Sequence, residues 1–205
     1  MGGAGGFSDF FETLFGGFGQ PGGASSRGQQ RVRQPQRGRD AEHIVKISLE
    51  EAQRGTQRIL EWEDGRKIEA KIPPGVKTKS KVRIRGQGSR GAMGGQSGDL
   101  FLKIEVLPHP LFERDGDNLR TSVPVGLYDA LLGGEVDVAA IDRRVKLTIP
   151  PETNNGKIFR LQGLGMPNLR NPKKFGDLFV RVDVKLPKKL NEEEKQLFRK
   201  LQNLR

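Results

Sequence analysis

Apolar and polar residues alternate along most of the chain from Asp40 onward. Val45, Ile47 and Leu49 take every second position, as do Ile68, Ala70 and Ile72, then Val82 and Ile84, then Leu100, Leu102, Ile104 and Val106. A two-residue period turns one face of an extended strand toward a core and the other toward water. The rhythm resumes with Val123 and Val125, Val136 and Val138, Val145, Leu147 and Ile149, Phe159 and Leu161, and a last long run from Leu178 to Leu186. Helical spacing is scarce. Glu50 to Arg54 allows one turn closed by Gly55, and Tyr128 to Leu132 a second. Pro187 stops the final strand, and Asn191 caps a helix whose first turn, Glu192 to Glu194, sets negative charge at its positive end. Leu197, Leu201 and Leu204 form one stripe on that helix. Together these elements predict a mainly β chain with short helical turns and one amphipathic C-terminal helix.

The two strand-rich stretches repeat each other. Leu49, Ala52 and Gly55 return as Leu127, Ala130 and Gly133; Ile72-Pro73-Pro74 returns as Ile149-Pro150-Pro151. Gly86-Gln87-Gly88 returns as Gly163-Leu164-Gly165, and Gly98-Asp99-Leu100-Phe101 returns letter for letter as Gly176-Asp177-Leu178-Phe179. Stacked solenoid units are much shorter than this spacing, so the repeat marks a duplicated domain. Each copy, about 75–80 residues, is small but able to bury a core. Pro108, Pro110 and the Asp115-Gly116-Asp117 turn mark the junction. Small domains in tandem suggest a scaffold that holds something more than a pocket that does chemistry.

Residues 1–40 are of another kind. The first part is rich in Gly with interspersed Phe, too poor in burial to offset its ordering entropy, and residues 27–40 form a basic linker. One helical face, Phe7, Phe11, Leu14 and Phe15, is expected to need a partner surface. The opening reads as the middle of a longer protein.

The formal net charge of the 205-residue chain is +11, which attracts nucleic acid, anionic lipid or acidic protein segments without choosing among them. The chain has no cysteine, so disulfides, thiolate zinc sites and cysteine nucleophiles are excluded, and a reducing, cytoplasmic setting is expected. No apolar run reaches bilayer length, and no signal peptide or membrane partner is expected. Gly86-Gln-Gly88-Ser-Arg-Gly91 matches a nucleotide-loop pattern, but a strand follows it where a helix is needed, so it reads as a long flexible hairpin loop. His43 and His109 have no converging carboxylates, and no Ser-His-Asp set has a local signature. No metal, cofactor or enzymatic activity is expected. Trp62, the single tryptophan, shares a strand face with Leu60 beside the Glu63–Arg66 turn, where it either packs in the core or lines a groove for another chain.

The chain resembles the C-terminal half of DnaJ-type J-domain co-chaperones. The likeness rests on Phe7-Ser8-Asp9-Phe10-Phe11, on Ile47-Ser48-Leu49-Glu50-Glu51-Ala52, and on His109-Pro110-Leu111-Phe112-Glu113-Arg114-Asp115-Gly116-Asp117. Asp129-Ala130-Leu131-Leu132-Gly133-Gly134 and Gly163-Leu164-Gly165-Met166-Pro167 complete it. The family's His-Pro-Asp-bearing J-domain is absent here and is expected upstream of Met1. The C-x-x-C zinc insert is also missing, so the chain resembles the zinc-free subclass, including its curved-DNA-binding members. The resemblance implies two tandem β-sandwich-like domains, at 41–112 and 113–187, and a dimerisation helix at 188–205 with Leu190, Leu197, Leu201 and Leu204 at the contact. It implies binding of unfolded polypeptide in a groove at His43, Val45, Arg58, Leu60, Trp62 and Leu102, and delivery to a DnaK-type chaperone. Arg58 matches a basic position that in some relatives meets that partner's acidic tail, with Arg66 or Lys67 as a substitute for the second basic position. DNA binding is the alternative function.

Overall fold

Among the described residues, eleven short strands and three helices follow one another in an order that runs through the same plan twice. The computed structural model describes residues 35–62 and 65–204. The Phe-rich face at residues 7–15 and the turn residues Glu63 and Asp64 lie outside the described residues. The first pass is β1 (Ala41–Ile47), α1 (Leu49–Arg54), β2 (Thr56–Glu61), β3 (Lys67–Ile72), β4 (Lys81–Ile84) and β5 (Leu100–Val106). After the short β6 (Glu113–Asp115) the second pass is β7 (Asn118–Gly126), α2 (Leu127–Leu132), β8 (Gly134–Ala139), β9 (Arg144–Ile149), β10 (Ile158–Leu161) and β11 (Leu178–Lys185). The last element is α3 (Glu192–Asn203).

In both modules the first and last strands lie parallel, β1 on β5 and β7 on β11, and the penultimate strand returns antiparallel. Separate hairpins, β2–β3 and β8–β9, supply the facing layer. The result is two β-sandwich-like modules. Periodicity places the core side chains: Val45, Ile47, Leu100, Leu102 and Ile104 turn inward in the first, Leu119, Val123, Leu178, Val180 and Val182 in the second.

The repeated letters have physical causes. Ser48 caps α1 and Glu51 closes a capping box with it, while Leu49 and Ala52 bury the helix's inner face. Gly55 ends α1 at φ +78° and Gly133 ends α2 at φ +84°, conformations that a side chain resists. Each sits against the Ile-Pro-Pro segment of its own module, within 3.0–3.2 Å of a hypothetical Cβ. The G-x-G-x-x-G segment is not the free loop expected. Residues 36–39 lie across it, with paired bonds between Gln36 and Ala92 and a bond from Ser89 N to Arg39 O at 3.0 Å. The end of the basic linker is thus ordered against the first module.

The modules meet through polar ties. The half-buried Arg114 donates to the carbonyls of Gly75 and Val76 at 3.1 and 2.7 Å, and burial lowers its pKa. Lys77 pairs with Asp117 at 3.0 Å. His109 Nδ1 accepts from the backbone N–H groups of Leu111 and Phe112, so its proton resides on Nε2, 3.1 Å from Glu50 Oε1. These bonds fix the start of the second module on α1 of the first.

Candidate functional site

The β2–β3 hairpin brings Leu60 and Trp62 beside the N-terminal half of β1. A turn closed by Trp62 N to Arg66 O and Gly65 N to Trp62 O holds the indole at the hairpin's tip. Leu60 and Trp62 are half-buried, each with one side on the core. Trp62 is therefore not sealed inside its module. The exposed His43 ring lies 6.4 Å from the Trp62 ring, tilted by 60°. Arg58, on the same hairpin, donates to Glu51 Oε1 at 2.6 Å, so its guanidinium is held over the start of α1.

Two of the six groove residues fall elsewhere. Leu102 is 0% exposed and Val45 is 6% exposed. Both point from their strands into the core, because the alternation that suggested the strands also dictates which face they occupy. Neither can touch a ligand in this conformation. They belong to the core against which the half-buried Leu60 and Trp62 pack. Lys67 is exposed next to the hairpin's tip, opposite Glu61, and Arg66 reaches toward Gly88 O at 3.4 Å.

Among the described residues the β1 edge of the first sheet is open. Its strand order is β1-β5-β4, so among the described residues β1 has one neighbour. Ala41 N bonds Asp99 O, and Leu107 N bonds Ile47 O, which assigns the odd-numbered residues of β1 to β5. In a parallel ladder the alternate residues then turn their N–H and C=O groups the other way. Glu42, Ile44 and Lys46 present them at the free edge. Ile44 is 58% exposed on the outer face, an apolar side chain that sequence reading passed over because it falls between two inward-facing residues of the same strand. A row of unpaired backbone groups flanked by Ile44, His43, Leu60 and Trp62 can accept an extended chain.

Two concavities lie away from this edge, on either side of residues 109–112. One of about 790 Å³ is floored by the outer face of the second sheet, at Ile158, Phe179 and Arg181, and walled by Leu111. The other, about 340 Å³, lies between Leu49, Leu107 and Phe112. Among the described residues no group of His, Asp and Glu could hold a metal ion. No helix there is long and apolar enough to cross a membrane.

The capping box of Asn191 and Glu194 starts α3 where expected. Leu190 is half-buried, while Leu197, Leu201 and Leu204 are exposed, and α3 buries no residue within its own chain. Its described ring contact is Phe198 stacked on Tyr128 of α2 at 6.4 Å. Phe198 was not singled out in the sequence, being one position off the leucine stripe. Residues 41–187 match the family model described as the DnaJ C terminal domain.

Proposed function

The chain belongs to the DnaJ C-terminal domain family, and from that premise we propose that it holds unfolded polypeptide at the open edge of β1 and passes it to a DnaK-type chaperone. The observation that carries this reading is the free edge beside a half-exposed indole. An extended client adds as a strand, its backbone meeting Glu42, Ile44 and Lys46 and its alternate side chains entering the space between His43, Leu60 and Trp62. Burying two or three apolar side chains is worth roughly 1.5–3 kcal/mol each. Association and ordering take back about 4 kcal/mol or more. Binding is weak and quickly reversed, which suits a protein that must release its client. Two such edges on one dimer raise the effective concentration and restore grip.

Trp62→Asp and Leu60→Asp are each expected to weaken suppression of client aggregation about tenfold, with circular dichroism unchanged. Full activity in both folded variants would remove this edge from the account.

Arg58 and Lys67 are the basic groups on this hairpin that an acidic partner tail would meet. Arg58 would exchange Glu51 for the tail, so the two carboxylates compete for one guanidinium.

A second reading, DNA binding, is favoured by the exposed Lys46, Arg85 and Lys103 on and around the first sheet and by the net charge of +11. Contacts to several phosphates would lose about 10³-fold in affinity between roughly 50 and 200 mM salt. A gel-shift series is expected to show that slope for DNA, whereas client holding through apolar side chains persists. A salt-insensitive DNA complex would contradict the phosphate reading.

A further inference from the structure

The two modules differ at one edge, and the difference supplies a template. In the second module the strand order is β10-β11-β7-β6, one strand more than β1-β5-β4. The registers β1–β5 (Ala41 opposite Leu100) and β7–β11 (Leu119 opposite Leu178) superpose the modules with a constant offset. Glu42 then corresponds to Arg120, His43 to Thr121 and Ile44 to Ser122. The edge that is open at β1 is therefore closed at β7 by the chain's own β6.

β6 runs antiparallel to β7, with Glu113 opposite Arg120 and Asp115 opposite Asn118. Continuing one position, Phe112 lies opposite Thr121, whose hydroxyl donates to Leu111 O at 2.9 Å. Alternation sends Phe112 to the inner face, where it is buried. Leu111 and Glu113 go to the outer face and are exposed. Segment 111–113 thus occupies the second module as an aliphatic, an aromatic and a charged residue in order.

We infer that a client lies on the first module as β6 lies on the second: antiparallel to β1, an aromatic side chain opposite His43, an aliphatic one before it opposite Ile44, and a basic one after it opposite Glu42. This rests on the β1 edge being the client site and specifies which segments fit it. The aromatic ring enters the space that His43 and Trp62 border, where tilted ring pairs are favourable. The aliphatic residue covers Ile44. The basic preference follows from the sign of the edge charge. At β7 the edge residue is Arg120, and β6 answers it with Glu113 and with Asp115, whose carboxylate pairs with Arg120 at 2.6 Å. At β1 the corresponding residue is Glu42, whose carboxylate is paired with Lys81 of β4 at 2.9 Å; a basic client residue opposite it competes for that carboxylate, whereas an acidic one finds no guanidinium there. The same reversal keeps β6 of one copy from occupying β1 of another, since its two carboxylates would face Glu42.

The absence of cysteine from the chain makes the register measurable by disulfide exchange. The probe is a peptide copying residues 109–115 with Glu113→Lys, carrying an activated cysteine at the position of Leu111 or of the substituted Glu113. The full chain carries Ile44→Cys. Directly opposite residues have Cβ atoms about 4.5–5.5 Å apart, so cysteine in place of Leu111 is expected to trap at least about tenfold faster than cysteine at the later position. A parallel strand would reverse that order and overturn the inference. In the unmodified chain, the lysine-bearing peptide is expected to bind about tenfold more tightly than the native-sequence copy; equal affinity would remove the charge rule. If neither cysteine traps while Trp62→Asp still impairs client holding, the register is wrong and the site stands. If neither traps and Trp62→Asp has no effect, the site itself falls, and the register with it.

Discussion

Replacing Asp99 with alanine is expected to lower the melting temperature by roughly 5–10 °C, and by more than Asp177→Ala. The two aspartates are the same letter of the repeated Gly-Asp-Leu-Phe, but the first is the busier. Asp99 is 4% exposed. Its Oδ1 accepts from Gly86 N at 2.8 Å, and its Oδ2 accepts from Arg83 at 2.6 and 3.0 Å and from Arg37 at 2.9 Å. Asp177 repeats the first two contacts, with Gly163 N at 3.0 Å and Arg160 at 2.7 Å. Among the described residues it has no counterpart to Arg37. Alanine at position 99 leaves a backbone donor without its partner and frees residues 36–39, which Arg37 ties to Asp99, and a buried group left unpaired costs more than its bond contributed.

The pH dependence of this effect has a definite sign. The bond from Gly86 N, then the Arg83 and Arg37 guanidiniums, outweigh burial and hold the Asp99 carboxyl below its ordinary value of 3.8; Gly163 and Arg160 do the same for Asp177. A carboxyl with a depressed folded pKa contributes stability that is fully present above its unfolded value and is lost as pH falls through the folded one. Thermal melts from neutral to acid pH are therefore expected to converge for the parent and Asp99→Asn below the carboxylate range. A gap that stayed constant into acid would mean that the charge contributes nothing.

The duplication was legible because it is written in residues with no substitute. Gly98 and Gly176 recur because a Cβ there would lie 2.2 and 2.1 Å from the carbonyl oxygens of Arg39 and Asp117. In the G-x-G-x-x-G segment Gly88 and Gly91 allow a close backbone approach in the same way and Gly86 takes a φ of +67°, which explains why that pattern occurs without a phosphate-binding helix. Strand identity was most legible in β1, β3, β5, β7, β9 and β11, where alternate residues are buried. Partnership was not. Periodicity says which side of a strand is buried and nothing about its neighbour, so neither the parallel pairing of β1 with β5 nor the open edge beside it could be read. β6 is Glu-Arg-Asp, three polar residues with no alternation, and is a strand because β7 offers it an edge. Val45 and Leu102 entered the expected groove by likeness and left it because their strands face inward. Ile44 was hidden by its neighbour Val45, and Phe198 by the stripe beside it.

The double substitution Leu197→Asp, Leu201→Asp is expected to convert a dimer into monomers, raising the dissociation constant by more than about 10³-fold. Here α3 is proposed as the contact with a second copy. Leu197, Leu201 and Leu204 are 54%, 59% and 80% exposed on one face of a helix that the chain's own sheets do not cover. Leu131, Leu132 and Leu186 are exposed as well, so apolar surface also flanks the helix on α2 and the end of β11. A two-fold contact uses each patch twice, so six stripe leucines enter one interface. At roughly 1.5–3 kcal/mol each their gross contribution exceeds an association cost of about 4–15 kcal/mol over most of that range. Two aspartates per chain put four carboxylates into the same contact, where unpaired burial is prohibitive. Phe198→Ala separates the roles of neighbouring residues, because its ring holds α3 to Tyr128 within one chain. It is expected to loosen the helix while sparing the stripe, and so to weaken the dimer far less than the double aspartate. Sedimentation velocity over a concentration series reads both outcomes. A dimer that survives the double substitution, or deletion of residues 190–205, would place the contact elsewhere, and the gain in grip from two client edges would have to come from that other surface.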